Sequence, residues 1–121
     1  MVKSSTARIM LILHKINGWN YRHLDYVLAF TQAPTDTDVY LKIPIGYHVE
    51  NENGEDVSSE YCLKLLSNCY GTKDAAANWY NVLSKGLVDR GFDQCAVDPC
   101  LFTRKDCVVI TCVDDCLMLY E

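Results

Sequence analysis

Two adjacent carboxylates, Asp114 and Asp115, lie between two apolar runs, Val108-Val109-Ile110-Thr111-Cys112 and Cys116-Leu117-Met118-Leu119-Tyr120. Neighbouring acids between core strands repel each other unless something offsets them. One reading is a hairpin cap, since Asp is a good turn former. A third acid, Asp25, ends another apolar strand, Leu24-Asp25-Tyr26-Val27. If that strand lies beside the 107–120 hairpin, three carboxylates converge at one sheet edge. Such a set suits two hard divalent cations, whose charge offsets the repulsion. Two ions roughly 3.5–4 Å apart activate an attacking oxygen and stabilise a leaving one in phosphoryl or nucleotidyl transfer. That chemistry needs acids on rigid strands, which keep the ions fixed relative to phosphorus.

The elements that would position these acids follow from periodicity. Thr6 to Asn17 predicts a helix, with Ile9, Ile12, Leu13 and Ile16 at helical spacing, Thr6 as N-cap and Asn17-Gly18 as the stop. Tyr21 to Tyr26 predicts a strand entering a loop over Leu28 to Pro34. Asp38 to Ile43 and Tyr61 to Leu66 predict two more, joined by an acidic loop over 48–60 with Asn53-Gly54 at its tip. Asp74 to Arg90 predicts the main helix, with Ala76, Trp79, Tyr80, Leu83 and Leu87 on one face and Gly91 as its stop. Trp79 reads as core. Three strands follow: Cys100 to Arg104, Cys107 to Cys112 and Cys116 to Tyr120. Lys105-Asp106 turns the first hairpin and Val113-Asp114-Asp115 the second. This order predicts an α+β fold with an antiparallel sheet.

The chain has 121 residues, half of them hydrophobic and 22% charged, with 6 Gly and 3 Pro. That composition predicts one domain over 1–121 and excludes disordered or collagen-like sequence. No apolar run is long enough for a transmembrane helix, and no signal peptide is legible. The net charge is −5. Bulk electrostatics of that sign disfavour nucleic acid, whose phosphates need Lys and Arg. The imbalance is uneven: residues 1–42 sum to +2 and residues 43–121 to −7. Seven cysteines without C-x-x-C spacing, in a chain without a signal peptide, predict free thiols in a reducing compartment, cytoplasmic or nuclear. They read as small apolar strand residues, with a zinc module as the alternative.

Five blocks in order resemble the reverse-transcriptase domain of copia-type retrotransposon polyproteins. Leu24-Asp25-Tyr26-Val27-Leu28-Ala29-Phe30 resembles D-x-x-x-A-F, and Val39-Tyr40-Leu41-Lys42-Ile43-Pro44-Ile45-Gly46-Tyr47 resembles V-Y-M-x-x-P-x-G-F. Lys64-Leu65 through Tyr70-Gly71-Thr72-Lys73 to Trp79 resembles K-L…Y-G-L-K-Q-A-P-x-x-W. Gly91-Phe92 through Asp98-Pro99-Cys100-Leu101-Phe102 resembles G-F…D-x-C-x-F, and Cys112-Val113-Asp114-Asp115 resembles Y-V-D-D.

The resemblance implies the palm, with part of the fingers, of a right-hand polymerase. It implies RNA-directed DNA synthesis on a primer–template from deoxynucleoside triphosphates, with Mg²⁺ or Mn²⁺. Asp25, Asp114 and Asp115 match the catalytic, metal-binding aspartates. Phe30 matches the aromatic under the incoming sugar. Tyr70, Gly71 and Lys73 match the segment against nucleotide and template, where Lys73 also reads as a solvated lysine at a helix start. Cys112 stands in place of the usual aromatic, and Asp74 and Ala76 in place of Gln and Pro. The expected protein is a partial domain without thumb, RNase H or integrase, inactive alone and part of a larger polyprotein. The alternative is a non-enzymatic relic with a structural or protein-binding role.

Overall fold

The computed structural model describes residues 1–121. It is α+β: two helices and an antiparallel five-stranded sheet, with a separate two-stranded sheet. The chain divides into two compact units, Met1–Ala29 with Trp79–Glu121, and Phe30–Asn78.

In the first unit, helix α1 (Ser4–Asn17) precedes strand β1 (Asn20–Asp25). The helix starts two residues before Thr6, and its N-cap is Lys3. Thr6 instead directs its side chain at the Asp98 carboxylate. Gly18 ends the helix at φ 66°, as a left-handed stop requires. The apolar stripe is not buried: no residue of α1 is, and Ile9, Ile12 and Ile16 are 53%, 57% and 73% exposed.

Strands β5 (Leu101–Arg104), β6 (Cys107–Cys112) and β7 (Asp115–Tyr120) form a meander. Their β-branched and cysteine-rich sequences suit a pleated surface packed on both neighbours. The short strand β4 (Asp93–Gln94) pairs with β5 and has no alternating signal in the sequence. Strand β1 adds antiparallel to β7, giving the order β1-β7-β6-β5-β4. The last strand is therefore interior to the sheet rather than an open edge. Its Leu119 is fully buried, and Leu117 and Met118 are half-buried.

Helix α2 (Ala75–Val88) is shorter at both ends than the expected 74–90. Its Trp79 and Leu83 are buried, in a core that includes Phe92, Phe102, Val109 and Ile110. Gly91, at φ 81°, closes its C-terminus, and Phe92 N–H donates to the Leu87 carbonyl. Cys100, Cys107 and Cys116 are buried among these strands, as small apolar residues would be. All seven cysteines are free thiols.

The second unit follows from a 3-10 helix over Ala29–Gln32, where the sequence suggested only a loop. Strands β2 (Tyr40–Lys42) and β3 (Cys62–Lys64) pair antiparallel within the expected 38–43 and 61–66. The acidic loop between them folds back at Asn51–Gly54, with Gly54 at φ 78°. It is held by a bridge between Glu50 and Asp56, not by longer strands.

Candidate functional site

The β1–β7 register sets the geometry of the acids. Asp25 lies directly opposite Asp115, Leu24 opposite Cys116 and His23 opposite Leu117. Tyr26 N–H then donates to the Asp114 carbonyl at 2.9 Å, extending the ladder one step beyond the paired aspartates. Directly opposed residues project to the same face, with Cβ atoms about 4.5–5.5 Å apart. Like charges so placed repel each other across the ladder.

Asp114 occupies the turn itself. Only Val113 and Asp114 separate β6 from β7, because Cys112 pairs with Asp115. Asp115 is thus a strand residue, where the sequence reading placed it in the turn. Val113 has φ 57°, a left-handed conformation usually left to glycine at the first position of such a two-residue hairpin. A β-branched residue there is strained by about 1–3 kcal/mol.

The surrounding structure holds that strain in place. Trp79, 3% exposed, donates its indole N–H to the Val113 carbonyl at 2.8 Å. Tyr26 meets the Trp79 ring edge-on, with centroids 5.1 Å apart. Burial pushes the Tyr26 phenol above its ordinary pKa, with a further push from Cys116 and an opposing one from Arg90. Trp79 is core, as expected, and it also braces the acidic turn.

His23 is a site residue that sequence reasoning passed over. Its Nε2 lies 2.9 Å from Asp115 Oδ1. The available signal was period two: His23 precedes Asp25 by two residues on a strand, so both lie on one face. Behind the hairpin, Cys116 is 2% exposed, and burial, with contributions from Asp115 and Cys112, pushes its thiol to about 11.

Three carboxylates are a hard-oxygen donor set of the kind Mg²⁺ and Mn²⁺ take. Of the three, Asp25 and Asp115 are opposed across the β1–β7 ladder and Asp114 lies in the adjoining turn. Their side chains are not gathered into a ready three-ligand group, and Asp115 is turned to His23 instead.

The remaining candidates belong to the second unit. Phe30 and Tyr70 stack at a tilt, with ring centroids 4.7 Å apart. Gly71, at φ 96°, and Lys73 line a depression of about 310 Å³ together with Thr35, Thr37, Thr72 and Asp74. Asn68, missed in the sequence, pins this region. It is 3% exposed, and its side-chain amide donates to the carbonyls of Ala33 at 3.1 Å and Pro34 at 2.7 Å. Its own backbone N–H donates to Ala33 as well. A buried amide with its donors met fixes one conformation of the segments it joins.

Residues 1–120 match the family described as "Reverse transcriptase (RNA-dependent DNA polymerase)". The chain belongs to that family. It is 30% identical over 122 aligned residues to the "Retrovirus-related Pol polyprotein from transposon RE1" of Arabidopsis thaliana, an overlap that takes in 98% of this chain and 8% of that protein. The figures for the polyprotein from transposon RE2 of the same plant are the same. Identity to the polyprotein from transposon TNT 1-94 of Nicotiana tabacum is 23%, over 98% of this chain and 9% of that protein. The chain thus spans less than a tenth of the length of these relatives. No solved structure matches it. The resemblance drawn from the five sequence blocks is borne out.

Proposed function

We propose that this chain is the palm, with part of the fingers, of a copia-type reverse transcriptase. On this reading it contributes the acidic centre for RNA-directed DNA synthesis within a larger polyprotein. The observation that carries it is the register that sets Asp25 opposite Asp115 beside a hairpin whose turn residue is Asp114. Asp25, Asp114 and Asp115 would hold Mg²⁺ or Mn²⁺. A divalent ion bound there supplies electrostatic activation of the attacking oxygen and stabilisation of the leaving one. The protein's part is to fix its carboxylates on two paired strands and a braced turn. Phe30 would pack under the incoming sugar, while Tyr70, Gly71 and Lys73 would face nucleotide and template.

These 121 residues alone should not extend a primer at a useful rate, since a net charge of −5 repels the template. The test is therefore metal binding. A Mg²⁺ or Mn²⁺ titration followed by NMR should shift resonances of Asp25, Asp114 and Asp115, and Asp114→Asn should weaken the effect. A titration that moves none of the three removes the proposal.

A second reading, a non-enzymatic relic with a structural or protein-binding role, is favoured by one observation. Asp74 lines the same depression as Gly71 and Lys73, where an acid opposes a phosphate. Metal binding at the three aspartates would argue against it.

A further inference from the structure

Helix α1 and the acidic loop carry opposite charge and matching apolar surface. From Met1 to Leu24 there are four basic residues, Lys3, Arg8, Lys15 and Arg22, and no acid. On α1 the exposed isoleucines Ile9, Ile12 and Ile16 fall at i, i+3 and i+7, the spacing of anchors on a groove-binding helix. Arg8 and Lys15 each precede one of these isoleucines and stand seven residues apart, so both flank the same side of the stripe. Fourteen residues make a helix about 21 Å long, enough to present all three anchors at once.

The second unit offers the counterpart. A groove of about 520 Å³ has Ile43, Ile45, Tyr47 and Tyr61 in its lining. Ile45 is fully exposed, Tyr47 is 73% exposed and Tyr61 58%. Beside it, residues 48–60 carry Glu50, Glu52, Glu55, Asp56 and Glu60 with no Lys or Arg. Asp56 is itself in the groove wall, and Lys42 is the one lysine or arginine there. Hydrogen bonds from Ser58 and His48 hold the Asp56 carboxyl down at about 2, so it stays ionised.

We propose that the chain self-associates by seating α1 of one copy in the 43–61 groove of a second copy. The isoleucines fill the apolar lining, and Arg8 and Lys15 face the acids of residues 50–60. Each copy bears one α1 and one such groove, so association is concentration-dependent and weakens as salt screens the charge pairing.

Sedimentation of the full chain tests this. At 50 mM salt and rising concentration the mass should exceed one copy, with an apparent Kd about tenfold weaker at 500 mM. Arg8→Glu with Lys15→Glu should give monomers, and so should Glu52→Lys with Glu55→Lys. Mixing those two charge-reversed proteins should restore association, because each then supplies one intact surface. Circular dichroism confirms that the variants fold, since every changed side chain is exposed. A monomeric wild type at low salt, or charge-reversed proteins that associate as before, overturns the proposal. So does monomeric chain that binds anionic vesicles through α1.

Discussion

The indole N–H of Trp79 donates to the carbonyl of Val113 at 2.8 Å, tying the N-terminal half of α2 to the turn that carries Asp114. The bond ends on the residue whose backbone is least comfortable, Val113 at φ 57°. A buried aromatic thus stabilises a conformation that the turn's own sequence disfavours. The acidic hairpin of this reverse-transcriptase-family chain is in this sense clamped from behind.

Replacing Trp79 with Phe keeps most of the packing and removes the hydrogen bond. The variant should lose about 1–2 kcal/mol of stability, since the Val113 carbonyl loses its partner. Trp79→Ala should lose about 3–5 kcal/mol. Urea denaturation gives both values. A Phe variant as stable as wild type would mean that the bond does not brace the turn.

Val113→Gly acts on the same turn in the opposite sense. Glycine accepts a positive φ without strain, and Val113 is 45% exposed, so little packing is lost. Stability should rise by about 1 kcal/mol. The turn should also loosen once its conformation is no longer locked, read as faster amide exchange at Asp114 and Asp115. A destabilised glycine variant would refute strain at this position.

Asp25→Asn separates stability from binding. It removes one of two like charges set opposite each other across β1 and β7 while leaving the His23–Asp115 contact in place. The metal-free variant should be more stable by about 0.5 kcal/mol. Its response to Mg²⁺ in an NMR titration should be weaker than that of the wild type. Loss of stability together with unchanged metal response would contradict the site.

Acid should loosen the anchoring of α1. Asp98 is 2% exposed and accepts from the Lys3 backbone N–H at 2.9 Å and the Cys100 backbone N–H at 3.1 Å. The Thr6 side chain, followed by these two amides, lowers its pKa against the opposing effect of burial. A carboxyl depressed on folding contributes stability above its unfolded pKa of 3.8 and loses it as pH falls through the lower folded value. Stability should therefore fall below pH about 4. Asp98→Asn should flatten part of that acid limb and cost about 2 kcal/mol at neutral pH. The comparison needs urea midpoints from pH 2 to pH 7 for both proteins.

Much of this architecture was legible because it lies in local pattern. The β6–β7 hairpin announced itself through Val108 to Thr111, an acidic pair, and a second apolar run. Helix α2 followed from Trp79 and Leu83 at helical spacing with Gly91 behind. Strand β4 was not legible, because Asp93–Gln94 has two residues and no alternation, and exists through its pairing with β5. The position of β7 inside the sheet could be raised from the sequence only as a condition, since it is fixed by β1, some ninety residues away along the chain. Periodicity predicted helix α1 but said nothing of its exposure: spacing reports which residues share a face, not whether anything covers it. Asn68 went unnoticed because its importance is a tertiary contact, which no local motif encodes, and His23 offered only its period-two spacing from Asp25, which gives a face but not a partner.

The pairing of Asn20–Asp25 with Asp115–Tyr120 also sets a schedule for folding. The hairpin of β6 and β7 closes over two residues, a microsecond-scale event. Bringing β1 alongside it closes a loop of roughly ninety residues, and that entropy must be spent before the distant contacts return anything. During synthesis the first aspartate emerges long before its partners. Until residues 115–120 have been made, β1 lacks its partner strand. Asp25 can face Asp115 only after residues 115–120 have emerged and β1 has docked on them, so that juxtaposition reports on long-range docking rather than on the presence of the aspartates.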